Sequence, residues 1–263
     1  MRKTSSFAIA IVFALGCASA QDWARQRLEK SSRHQEWVQV KHANRVVHAF
    51  LVFPETKARA AAVVVIHENQ GLTDWVRSVA DQLAAAGYLA IAPDLLSGTG
   101  PNGGKTSDFT SADAAREAIY KLPPDGVTAD LVAVADHVRK LPAASGKIAV
   151  AGFCWGGAQS FRLAGNRPDL SAAFVFYGTG PESVGTVRAP VYGFYGGDDA
   201  RVNATVPKSA ELMKQAGKQY EPVTYEGAGH GFMRSGEAPD ASEPNRKARE
   251  EGWRRWLALL SKI

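Results

Sequence analysis

The chain has 263 residues, 45% of them hydrophobic and 22% charged, with a formal net charge of +5. Its lysines and arginines are scattered rather than clustered and no zinc-finger or RNA-binding signature occurs, so a nucleic-acid partner is not expected. No apolar run is long enough to span a membrane, and the length suits one α/β domain around a large core.

In chain order, Arg2 and Lys3, the apolar run from Phe7 to Leu15 and Ala18-Ser19-Ala20 supply the three parts of a secretory signal peptide, with no acidic residue before Asp22. Cleavage after Ala20 gives a mature chain starting at Gln21, exported to the periplasm or the medium. A lipoprotein anchored through Cys17 is the weaker alternative, because Ala14 stands where leucine is preferred. Without residues 1–20 the formal charge falls to +3 and Cys154 is the single cysteine, so no intramolecular disulfide can form. An unpaired thiol is a liability in an oxidising compartment, and its retention points to chemistry or deep burial.

Residues 21–35 read as a lead-in with a short helix over 22–30, and residues 36–263 as one folded domain. Two strand-like runs, 36–40 and 45–53, suit an antiparallel entry hairpin. The run 60–66 is continuously apolar and β-branched, the pattern of a central parallel strand. An amphipathic helix over 73–86 is stopped by Gly87, a strand follows over 88–92, and Pro93-Asp94 opens a long loop. Residues 111–140 are helical. Strands are expected up to Phe153 and over 172–177, 191–195 and 220–225, with helices over 206–216 and 243–260. This alternation implies a mostly parallel sheet with helices on both faces, and its site at the carboxyl ends of the strands.

The stretch from Lys147 to Gly165 reads as strand, sharp turn and helix, with Gly152 and Gly156 two residues either side of Cys154. That is the spacing of a nucleophile elbow with sulfur in place of the hydroxyl oxygen. At a helix start the sulfur meets free backbone N–H groups and the positive dipole end, which favour thiolate over thiol and can hold an oxyanion. Glu68, Cys154, Asp199 and His230 each fall just beyond an expected strand end. The order nucleophile, acid, histidine is that of α/β-hydrolase triads. Asp198 competes with Asp199 for the acid position on spacing alone. His34, His42, His48 and His137 read as surface or packing residues. His67-Glu68 does not complete H-E-x-x-H, since Gly71 stands where the second histidine is needed, so no metal and no cofactor are expected.

These residues carry a resemblance. His67-Glu-Asn-Gln-Gly-Leu72, Gly87-Tyr-Leu-Ala-Ile-Ala-Pro93-Asp94, Gly152-Phe-Cys154-Trp-Gly-Gly157, Gly196-Gly-Asp-Asp199 and Ala228-Gly-His230-Gly-Phe resemble the dienelactone hydrolase (carboxymethylenebutenolidase) family of α/β-hydrolases. The resemblance runs from about residue 36 to the end. It implies a Cys154, Asp199, His230 triad, Glu68 as an activating carboxylate near the thiol, and an oxyanion held by the backbone N–H groups of Trp155 and Asn69. It also implies that Arg116 and Arg234 hold a substrate carboxylate and that Tyr120 lines the same pocket. The expected activity is hydrolysis of a small lactone or ester, possible carboxylate carriers included, through a thioester acyl-enzyme. The alternatives are a non-catalytic binding protein on a hydrolase scaffold and a thiol peptidase or acyltransferase. Oligomeric state is not legible.

Overall fold

The computed structural model describes residues 21–263, so the signal-peptide reading and Cys17 lie outside the described residues. β1 (Gln35–His42) and β2 (Arg45–Val52) form the expected antiparallel hairpin, Gln35 opposite Val52 and His42 opposite Arg45. The chain then alternates through β3 (Ala60–Ile66), α2 (Asp74–Ala85), β4 (Leu89–Pro93), α3 (Ala112–Tyr120), α4 (Pro124–Arg139), β5 (Ala144–Phe153) and α5 (Trp155–Asn166). It ends with β6 (Ala172–Phe176), β7 (Val191–Gly196), α6 (Ala200–Asn203), α7 (Val206–Gln215), β8 (Tyr220–Tyr225), α8 (Phe232–Ser235) and α9 (Glu243–Leu260). α1 (Asp22–Glu29) precedes the hairpin. The described strands make one sheet in the order β1-β2-β4-β3-β5-β6-β7-β8, antiparallel at β1·β2 and β2·β4 and parallel thereafter.

Strand alternation divides the core into two layers. One face carries Phe153, Phe174, Phe176 and Phe194 against Trp75 of α2 and Trp256 of α9, an aromatic layer in which the Phe176 and Trp256 rings lie 4.8 Å apart. The other face is mostly aliphatic, with Val64, Ile66, Ile148 and Val150 packed on Leu131 and Val134 of α4 and Phe161 of α5. Both layers exclude water, so the sheet is a rigid platform for the loops at its carboxyl edge. α1 packs on α2, burying Ala24 and Leu28, and Arg27 pairs with Glu237 at 2.7 Å.

Two features depart from expectation. The helical stretch 111–140 is broken at Pro123-Pro124, because proline lacks the donor that a continuous helix needs there and instead starts α4. The four-residue helices α6 and α8 are too short to leave a periodic pattern, and they follow directly on Asp199 and His230. At the edge of the sheet, β8 carries Pro222 in its middle, and Arg255 of α9 donates to the Glu221 carbonyl at 2.8 Å. Among the described residues no helix is long and apolar enough to cross a membrane, and no group of three or more His, Cys, Asp or Glu side chains could hold a metal ion.

Candidate active site

β5 runs straight into the elbow. Cys154 has φ 55° and ψ −117°, a conformation that non-glycine residues rarely adopt and that persists only when surrounding packing fixes it. The packing is explicit. A Cβ on Gly152 would lie 1.9 Å from the Gly156 carbonyl oxygen, and one on Gly156 would lie 2.3 Å from that of His67. The end of β3 and the first turn of α5 therefore touch backbone to backbone. This contact brings the loop after β3, with Glu68 and Asn69, beside the nucleophile.

The acid and base arrive on two loops that bond to each other. The amide of Gly197 donates to the Tyr225 carbonyl at 2.7 Å and that of Asp198 to the Ala228 carbonyl at 2.9 Å. A Cβ on Gly196 would lie 2.5 Å from the Ala228 oxygen, so only glycine permits this approach. Asn245 of α9 accepts from the Gly229 amide at 2.9 Å and fixes the far side of the histidine loop. Asp199 is 6% exposed and caps α6, while Asp198 points into solvent, which separates the two acids that spacing left open.

The resulting line is continuous. His230 Nδ1 donates to Asp199 Oδ2 at 2.5 Å, and its Nε2 stands 3.1 Å from Cys154 Sγ, where it accepts from the thiol. The backbone N–H groups of Trp155 and Asn69 lie near enough to the sulfur to favour its thiolate. Burial, and then the Glu68 carboxylate, push the Cys154 thiol up to about 11, outweighing the opposing pull of those two amides and of Arg201. The resting group is thus a thiol, contrary to the thiolate expected from the helix start. The α5 dipole and the two amides act, but desolvation is larger.

Glu68 is buried, and its Oε2 accepts from Arg234 Nε at 2.7 Å while Tyr177 donates to Oε1 at 3.4 Å. The carboxylate therefore faces Arg234 rather than the thiol, though it lies close enough to raise the thiol's pKa. Arg116 pairs with Asp113 on its own helix at 2.8 Å and is not part of the cavity wall beside the sulfur. Tyr120, one turn later on the same helix face, is part of it. That cavity, about 140 Å³, is lined by Tyr120, Trp155, Tyr177, Thr179, Arg201 and Val202 around Cys154. Tyr120 also accepts from the Asn69 side chain at 3.3 Å, tying α3 to the loop after β3. Arg201 and Tyr177 were not among the residues expected from sequence. Arg201 stands two positions after the acid, at the carboxyl edge of the sheet, and that placement was the available signal.

His67 is fully buried, donates from Nδ1 to the Glu68 carbonyl at 2.7 Å and accepts at Nε2 from the Leu95 amide at 3.3 Å. Burial lowers its pKa, so it is a neutral structural bridge between β3 and the loop after β4, stacked on Trp155. His42 bonds to Asp130 at 2.6 Å, far from the elbow in the fold.

The model of the dienelactone hydrolase family matches residues 47–263. A carboxymethylenebutenolidase-like protein of Escherichia coli (strain K12) is 33% identical over 217 residues, 74% of each chain, and the carboxymethylenebutenolidase of Pseudomonas putida is 31% identical over 201 residues, 72% of this chain and 82% of that one. Among solved structures, a dienelactone hydrolase-like protein from Klebsiella pneumoniae superposes with a TM-score of 0.77 at 25% identity, covering 89% of this chain and all of the other. With the fold, the elbow and these relatives in agreement, the chain belongs to the dienelactone hydrolase family and is a carboxylic ester hydrolase.

Proposed function

We propose that the chain hydrolyses a small lactone or ester through a thioester on Cys154, with His230 and Asp199 as the base and its orienting acid. The observation that carries this reading is the unbroken line from Asp199 Oδ2 through His230 to Cys154 Sγ, met from the other side by two backbone N–H groups. The sulfur attacks the acyl carbonyl, and the oxygen that becomes negative is held by the Trp155 and Asn69 amides. The tetrahedral species collapses with loss of the alkoxide, which takes its proton from His230. Water, deprotonated by His230, then attacks the thioester and releases the acid.

A thiol held near 11 needs help to ionise, and Glu68 supports that role because its pairing with Arg234 turns it away from the sulfur. A substrate carboxylate that competes for Arg234 frees Glu68 to assist transfer of the thiol proton to His230, which then holds the proton that the alkoxide takes. Arg234, Tyr120 and, one helical turn away, Arg116 form the substrate-binding group in this reading. The reaction calls on no metal or cofactor. The enzyme works after export, in the periplasm or outside the cell, once residues 1–20 are removed.

The test uses residues 21–263 with an activated neutral aryl ester, a lactone and an amide. Mass spectrometry of a quenched reaction should find one acyl group on Cys154, and Cys154→Ala should lose both that adduct and turnover. Turnover by Cys154→Ala would overturn the mechanism. Amide cleavage at comparable kcat/KM would favour a peptidase, and absence of any turnover a binding protein.

A further inference from the structure

Ala158 and Thr179 line two cavities at once, the one of about 140 Å³ beside Cys154 and a second of about 460 Å³ between α5 and the loop after β6. A pocket that encloses a whole small-molecule ligand generally holds about 300–1,000 Å³. The space beside the sulfur falls short of that range, and the adjoining space lies within it. We propose that the second cavity is a further substrate subsite, and that it takes an uncharged, hydroxyl-rich group of the polyol or glycosyl class carried by the ester.

The shape of this cavity follows from α5. Ala158, Arg162 and Gly165 recur at the spacing of one helix face, and at 1.5 Å per residue they span about 10 Å. At the far end a Cβ on Gly165 would lie 3.1 Å from Thr186 Oγ1, so helix and loop meet there and bound the groove. Its near end is the wall shared with the nucleophile's cavity. The chemistry of the lining selects the occupant. Arg162 is committed to Asp125 at 2.6 Å and to Thr128 at 3.1 Å, and Glu182 stands exposed at the rim, so the groove offers an anion no free cation. Gln159, Thr179, Ser183 and Thr186 carry no hydrogen bond to another described residue. Three of these four are hydroxyls, which donate and accept through one atom and match a partner that does the same. An apolar chain laid there would strip water from all four and return no hydrogen bond.

The inference rests on the ester-hydrolase reading, and a binding measurement separates the two. Two matched pairs of neutral esters serve as probes. Methyl quinate against methyl cyclohexanecarboxylate places the hydroxyls on the acyl side, and methyl 6-O-acetylglucopyranoside against cyclohexylmethyl acetate places them on the alcohol side. Residues 21–263 should show a kcat/KM ratio of about tenfold or more in favour of the hydroxylated member of at least one pair, the scale of one or two uncharged hydrogen bonds. Gln159→Leu with Thr179→Val, near-isosteric changes at partly exposed positions, should bring that ratio towards one, and Thr186→Trp, which fills the far end, should lower it as well. Preference for the cyclohexyl member in both pairs, equal rates in both, or a ratio that survives all of these substitutions overturns the proposal. Affinities of the same four esters for Cys154→Ala are read by ligand-observed NMR. If the wild type turns over none of them, the hydrolase reading fails, while the affinity ratio still decides the subsite.

Discussion

The two sides of the cleft are built differently. On the nucleophile side, position is set by backbone: Gly152, Gly156 and Gly196 leave no room for a Cβ, and the loops bearing Asp199 and His230 are laced by amide-to-carbonyl bonds. On the side proposed to meet the substrate, arginine side chains stand on α3, α6 and α8, two of them already paired with carboxylates. Chemistry is thus fixed by contacts that tolerate no substitution, while recognition is left to groups that can change without disturbing the sheet.

The sharpest way to break this contrast is to add one methyl group to the elbow. Gly156→Ala must push β3 from α5 against main-chain atoms that cannot rotate away, and should cost several kcal/mol, on the order of 3 or more, read as a large fall in Tm with loss of turnover. A variant that melts within a few degrees of wild type would show that the backbone contact gives way. Next, Asp199→Asn should lower kcat on the order of 10³–10⁴-fold, as expected when the orienting acid of a triad is lost, with Asp198→Asn close to wild type. The reverse ranking would move the acid by one residue.

Glu68→Gln tests the link between the two sides. The Glu68 carboxylate is the second cause, after burial, that raises the thiol, so removing its charge lowers the Cys154 pKa from about 11. Alkylation of resting enzyme by iodoacetamide should rise about tenfold per pH unit between pH 7 and 10 in the wild type, following the thiolate fraction, and be faster at pH 8 in Glu68→Gln. Ester turnover should fall in the same variant. Slower labelling together with slower turnover would contradict a carboxylate that both suppresses the resting thiolate and assists thiol ionisation during turnover. The smallest effect is expected for Arg116→Ala, whose exposed pair with Asp113 contributes at most about 0.5 kcal/mol to stability by urea denaturation.

The same contrast explains what was legible in the sequence. Gly152, Cys154, Gly156, Asp199 and His230 announce themselves because main-chain geometry demands those residue types at those spacings, and the apolar run 60–66 and the strand expected over 220–225 both coincide with strands of the structure. Partnership between long side chains leaves no such trace. Arg234 sits 166 residues from Glu68, and nothing in its neighbourhood shows that it will be neutralised. The thiol's raised pKa was hidden for a related reason: the helix start is visible in the motif, but the desolvation that outweighs it arises from the whole packed site. The proline break in 111–140 was in view as Pro123-Pro124, and the amphipathic pattern on either side masked it.

The last strand of the sheet bears on how this molecule behaves in a crowd. An exposed parallel edge invites strands from other chains, which is a route to aggregation. Along β8 an incoming strand would find no N–H at Pro222. One imino acid thus makes the open end of the sheet a poorer template for further pairing.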